Sequence, residues 1–278
     1  MKTTTRSRRG FTARFGAVAA VTMALLAGAF AAPASAAGSV NYVALGDSYS
    51  AGTGAGGESG SCGQSPNGYP NLVGASPGVT LTANLSCFGA TTDTVRQLQV
   101  PAMPARTQVV TLTVGGNDIG TGAIAAACTA SPGSLTCEAA TANALFVELP
   151  QLPRKLTAMF RAIKAHAHNA QIIVLGYPRL FEPENMAAPR YSSAAISSAR
   201  TMNTAADLLN ATIAGTALLN GVKFVSVTGA FAGHGIPSMD PWINLNPFEP
   251  LDPTNFHPNR EGQASGYAAV LAASVPAL

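Results

Sequence analysis

VVTLTVGGND, residues 109–118, is an apolar, mostly β-branched run that stops at two glycines followed by Asn117 and Asp118. A strand with one wet face alternates apolar and polar residues. A run without that alternation fits a strand covered on both sides, the habit of parallel sheets. Three more runs have this character, at residues 40–45, 171–175 and 222–227, and a weaker fifth lies at 79–81. Stretches with helical spacing separate them: 142–167, then 192–220 with Met202, Ala205, Leu208, Leu209 and Ile213 at core positions, and 260–273. Alternating strands and helices predict an α/β fold, a three-layer α/β/α sandwich around a five-stranded parallel sheet with right-handed crossovers. Pro150 and Pro153 are expected to kink or split the first long helix.

Residues 1–36 stand apart from this pattern. Lys2, Arg6, Arg8, Arg9 and Arg14 precede an uncharged run at 17–32, and Ala34-Ser35-Ala36 offers small residues for cleavage. That is the layout of a secretory signal peptide, and the run is short for the competing reading, a retained anchor. Ser7-Arg8-Arg9-Gly10-Phe11 also has a twin-arginine look, which leaves the export route open. Residues 37–278 then form one domain, since no repeat or low-complexity linker interrupts them. The chain has 16 Lys+Arg and 13 Asp+Glu; five basic and no acidic residues lie in the leader, so eleven face thirteen afterwards, a charge of −2. No basic cluster remains, and a nucleic-acid partner is not expected. Cys62, Cys87, Cys128 and Cys137 are an even set in an exported chain, which favours two disulfides. Cys62–Cys87 and Cys128–Cys137 are the expected pairs as nearest neighbours, although all three connectivities stay open. Zinc is the alternative, but no C-x-x-C and no histidine at ligand spacing occurs, so no metal is expected.

Ligands of open parallel sheets bind beyond the carboxyl ends of the strands. The first strand runs into Gly46-Asp47-Ser48, and the run quoted above into Gly115-Gly116-Asn117-Asp118. Gly52, Gly54 and Gly57 match G-x-G-x-x-G, but Ser48 precedes them, Pro66 and Pro70 follow, and no acid lies where a ribose would need one. Gly74-Ala75-Ser76-Pro77-Gly78 is a literal G-x-S-x-G, yet Pro77 has no N–H to give an oxyanion. Ser48 survives both comparisons, and residues 52–57 become a flexible loop beside it. A serine nucleophile needs a base and donors for the oxyanion. His166 and His168 sit two apart on a helix and share no face. His234 lies in a glycine-flanked loop, and His257 stands just before the last helix.

Gly46-Asp47-Ser48-Tyr49-Ser50, Gly89, Gly115-Gly116-Asn117-Asp118 and His257 together resemble the four blocks of the SGNH (GDSL-type) hydrolases. More narrowly, the chain is similar to the secreted bacterial lipases and esterases of that family. The resemblance implies a flavodoxin-like fold, Ser48 as nucleophile and His257 as general base. It also implies an oxyanion hole made by the N–H groups of Ser48 and Gly89 and the side-chain amide of Asn117. Gly89 would let the backbone approach substrate without a Cβ, and Asn117 supplies a neutral donor.

Two positions depart from the family pattern. Thr254 stands where an Asp three before the histidine is usual, so His257 is expected to be oriented by the main-chain carbonyl of Thr254, with Asp252 as the alternative. A third cysteine pair, common in relatives near 233–237, is replaced by a loop holding Pro237, which is expected to be looser. The implied chemistry is hydrolysis of fatty acyl esters through an acyl-enzyme, without cofactor. A phospholipase or a carbohydrate acetyl esterase of the same fold is the alternative, and a non-catalytic extracellular binding domain is the reading from another class. The partners expected are a small ester or lipid and, transiently, a lipid interface. No stable membrane insertion is expected, and the protein is read as a secreted monomer. Phe88, Phe181, Phe231, Trp242, Ile243, Phe248 and Phe256 form an apolar loop set suited to acyl chains, or in part simply core.

Overall fold

The computed structural model describes residues 1–2, 39–275 and 278; apart from Met1 and Lys2, the expected signal peptide lies outside the described residues. Among the described residues five strands form one all-parallel sheet: β1 Val40–Gly46, β2 Val79–Asn84, β3 Val109–Thr113, β4 Gln171–Leu175 and β5 Lys223–Val225. Their order is β2-β1-β3-β4-β5, the flavodoxin-like arrangement. The chain winds outward from β1 to β2, then crosses back to β3. The crevice between the carboxyl ends of β1 and β3 is therefore the switch point where this fold class binds ligands.

Burial on both faces explains the unbroken apolar runs. Val43, Leu45, Val110, Leu112, Ile172 and Val174 pack on one side, while Tyr42, Ala44, Ile173 and Leu175 pack on the other. The first side is covered by α3 (Leu152–His166) through Leu156, Phe160 and Ile163, and by α4 (Ser193–Leu219). The second is covered by the helix Tyr69–Gly74 and by the C-terminal helix Ala269–Ser274 with the wider π-type turns Gly262–Ala268 before it. Two helices, α1 (Thr121–Ala130) and α2 (Leu135–Asn143), form a hairpin closed by Cys128–Cys137. The other disulfide joins Cys62 to Cys87.

The differences from expectation are local. β5 is shorter than the run at 222–227 because it is an edge strand and its only partner, β4, ends at Leu175. The helix expected over 142–167 is broken by π-type turns at Ala144–Glu148 and a tight turn at Leu149–Gln151, with Pro150 and Pro153 each at the start of a new segment. A proline is tolerated there because its missing N–H would have had no partner. On α4 the buried stripe runs Met202, Ala205, Leu209, Ile213, whereas Leu208, one step round the helix, stays exposed.

Candidate active site

Ser48 is presented by a turn that the surrounding core over-determines. β1 ends at Gly46 with φ +110°, where a Cβ would fall 2.2 Å from the Thr113 carbonyl oxygen. Only glycine fits that close approach. The buried Gln99 amide clamps the same residue, accepting from Gly46 N at 2.7 Å and donating to Gly46 O at 2.8 Å. Asp47 then caps the short helix Ser48–Ala51 by accepting from Tyr49 N at 3.1 Å. Its carboxylate also accepts from Thr113 Oγ1 at 2.6 Å and from the Tyr177 hydroxyl. Burial pushes Asp47 up to about 6, against the pull of those donors. Tyr177 in turn accepts from Gly116 N at 3.2 Å, so one tyrosine joins the turn after β1 to the turn after β3.

His257 comes from the far end of the chain, and its Nε2 lies 2.7 Å from Ser48 Oγ. Its Nδ1 lies 2.9 Å from the carbonyl oxygen of Asn255. Neither expected acceptor is the bonded one. The Thr254 carbonyl takes the main-chain N–H of His257 at 3.1 Å, and the Asp252 carboxylate takes the N–H and hydroxyl of Thr254, each at 2.8 Å. The intervening Phe256, at φ +64°, turns the Asn255 carbonyl toward the ring. Tyr49 holds this geometry: its hydroxyl donates to Phe256 O at 2.5 Å and its ring packs 5.2 Å from the imidazole. Loss of water contact draws His257 down to about 4, although the carbonyls of Asn255, Thr254 and Pro253 raise it in part. At neutral pH the ring is uncharged, and a carbonyl facing Nδ1 fixes the proton there and leaves Nε2 as the acceptor.

Asn117 and Gly89 are drawn together by consecutive side chains. Asn117 Nδ2 donates to Ala90 O at 3.0 Å, and among the described residues its second N–H has no protein acceptor. Asp118 receives Thr92 N at 2.9 Å and Thr92 Oγ1 at 2.6 Å. Among the described residues the N–H groups of Ser48 and Gly89 have no protein acceptor. A Cβ on Gly89 would meet nothing within 4 Å; its φ of +78°, not crowding, is what requires glycine. Ser48, Asn117 and His257 line a pocket of about 260 Å³ whose walls include Ile124, Leu180, Met202 and Leu209. Of the apolar loop set, Phe88 and Phe256 line this pocket, Phe181, Phe231 and Ile243 are buried in the core, and Phe248 is exposed.

The remaining candidates lie elsewhere. His234 stacks on Trp242 at 3.7 Å, in a loop whose Gly233 and Gly235 N–H groups are both held by Glu182, so that loop is tied rather than loose. His166 contacts the Met103 carbonyl at 2.6 Å. The glycine stretch at 52–57 is also ordered by contacts: Gly54 and Gly56 both donate to Glu58 Oε1, and a Cβ at Gly54 would come within 3.0 Å of His257 Cβ. Its amides do cradle an anion, the chain's own carboxylate. Among the described residues no three His, Cys, Asp or Glu side chains converge where a metal ion would sit. Sequence reasoning missed Asp47, Gln99 and Tyr177 as supports and Asn255 as the acceptor; only Asp47, inside the Gly46-Asp47-Ser48 block, carried a signal.

A model of the GDSL-like lipase/acylhydrolase family matches residues 44–264. A lipase of Streptomyces rimosus is 38% identical over 234 residues, 83% of this chain and 85% of the relative. Among solved structures, the extracellular lipase from Streptomyces rimosus matches with TM-score 0.76 at 35% identity, covering 85% of this chain and all (100%) of that one. Phospholipase A1 from Streptomyces albidoflavus NA297 matches with TM-score 0.73 at 32% identity, with 85% and 100% covered.

Proposed function

The chain belongs to the GDSL-like lipase/acylhydrolase family, and from that premise we propose that Ser48 and His257 hydrolyse fatty acyl esters in two acyl-transfer steps. Ser48 Oγ attacks the ester carbonyl as His257 Nε2 takes its proton, and the oxyanion forms against Ser48 N–H, Gly89 N–H and Asn117 Nδ2. His257 returns the proton to the leaving alcohol, and water repeats the sequence on the acyl-enzyme. The Asn255 carbonyl orients the ring, so the pair works as a dyad. The observation that carries this reading is the 2.7 Å contact between Ser48 Oγ and His257 Nε2 in the lining of a largely apolar pocket.

Ile124, Leu180, Met202 and Leu209 support a medium or long acyl chain over acetate. The similarity to a phospholipase A1 favours phospholipid as a second substrate class. The leader-like residues 1–36 and the two disulfides support export. The exported chain is read as a monomer. A scan of p-nitrophenyl esters from acetate to palmitate, with phosphatidylcholine and acetylated xylan alongside, tests the substrate class. Turnover is expected to rise from acetate toward longer chains; a sharp preference for acetate or acetylated xylan would overturn it, and no turnover at all would favour a binding domain.

A further inference from the structure

We propose that residues 246–255 form a loop that seats the enzyme on a lipid surface of no net charge, with Phe248 and Leu251 as the inserted side chains. The proposal rests on the acyl-ester reading of the pocket. Phe248 and Leu251 are 92% and 93% exposed, and they sit three residues apart. Isolated apolar residues on a surface are ordinary, but this pair is held outward by design of the loop. Asn255, itself buried, takes Asn246 N at 2.6 Å on its Oδ1 and gives Nδ2 to Glu249 O at 2.8 Å. Asn246 Oδ1 accepts from Phe248 N at 3.1 Å, and Asp252 N donates to Glu249 O at 3.0 Å. Pro247, Pro250 and Pro253 fix the backbone between these bonds. The polar groups of the loop are thus spent on one another, and the apolar tips face outward at little ordering cost on contact.

Two further observations choose the partner. Pro250, Leu251 and Pro253 also line the pocket, so one of the two outward side chains, Leu251, borders the acyl site directly. Phe88, 45% exposed, stands on the same pocket's rim and packs 5.7 Å from the His257 ring. Seating the loop on lipid therefore brings the pocket next to the acyl chains. Residues 240–259 hold Asp240, Glu249 and Asp252 and no Lys or Arg. Anionic surfaces are gripped by clustered cations, and this rim has none. Asn255 also links surface to chemistry, because the residue that clamps the loop presents its carbonyl to His257.

Co-sedimentation with phosphatidylcholine vesicles tests the proposal, comparing the wild-type protein with Phe248→Ser and using the Tm of each as the check on folding. Partitioning should fall about tenfold or more in the variant, the worth of one buried phenylalanine, and adding phosphatidylglycerol should not strengthen it. Equal partitioning of the two proteins, or marked tightening on the anionic lipid, would overturn the proposal. Should Phe248→Ser lower the Tm, Phe248→Trp replaces it: its added emission should shift to the blue on phosphatidylcholine, and an unshifted spectrum would overturn the proposal equally. Hydrolysis of soluble p-nitrophenyl butyrate by the wild type reads the catalytic assignment separately. Its absence refutes that assignment, whereas its presence with unchanged partitioning refutes the docking loop alone.

Discussion

Phe256 has φ +64°, the left-handed region that a bulky side chain seldom adopts, and among the described residues no other non-glycine shares it. The conformation is held from outside by the Tyr49 hydroxyl, which donates to the Phe256 carbonyl and so keeps the Asn255 carbonyl aimed at His257. Tyr49→Phe removes that donor and leaves a part-buried carbonyl unpaired, a loss of about 1–3 kcal/mol. If the loss is taken up by misplacing the imidazole, kcat should fall roughly tenfold to a hundredfold with KM little changed. Adding Phe256→Gly should recover part of the loss, since glycine adopts this φ without help; a kcat within twofold of wild type for Tyr49→Phe alone would contradict the role. The same residues bear on pH. His257 must be neutral to act as base, and its environment draws it from 6.5 to about 4. The acid limb of kcat/KM on a soluble ester should therefore lie below 6.5, toward about 4, and a limb at or above 6.5 would contradict the geometry. Ser48 and His257, which the structure brings into contact, stood out as short blocks because the proposed chemistry needs those residue types. The acceptor for Nδ1 was not, because any residue can offer a carbonyl and only the turn decides which one points at the ring.

β1, β3 and β4 were legible because burial on both faces forbids polar alternation, and β3, buried throughout, gave the clearest run, whereas β2, with Thr80 and Thr82 exposed, gave only the short run at 79–81. β5 was read too long because hydropathy marks burial, whereas a strand also needs a neighbour to pair with. The sheet order came only with the family resemblance, since hydropathy carries no information about which strands adjoin. The two disulfides staple different functional elements, and their removal should separate accordingly. Cys62–Cys87 closes a 25-residue separation directly before Phe88 and Gly89, and Phe88 N donates to Cys62 O at 3.0 Å. Replacing both cysteines by serine should cost about 3 kcal/mol of stability and also lower kcat, because the Gly89 N–H loses its anchor. Replacing Cys128 and Cys137, 9 residues apart across the α1–α2 hairpin, should cost somewhat less. Its effect should appear in acyl-chain preference, since Ile124 and Ala125 of α1 line the pocket. Chemical denaturation with kinetics on short and long esters checks both; equal kinetic defects in the two variants would contradict the division.

Across the whole molecule, residues 48, 89, 117 and 257 gather beyond the carboxyl ends of the strands because the order β2-β1-β3 opens a crevice where winding reverses. The fold supplies the rigid part, with Gln99, Asp47 and Tyr177 fixing the strand ends. The long loop before the C-terminal helix carries His257, the proposed base, and the apolar side chains Phe248 and Leu251. The sequence blocks located these parts, but the network that joins them depends on contacts between distant segments, and no spacing rule encodes those. Ser48, on the proposed mechanism, is the activated nucleophile of an ester hydrolase. Titration with a fluorophosphonate, followed by peptide mass spectrometry and residual hydrolysis of a p-nitrophenyl ester, tests it most directly. One label per chain is expected, on Ser48, with activity lost in proportion and no labelling of Ser48→Ala. Label on another residue, or ester hydrolysis surviving full modification of Ser48, would contradict it.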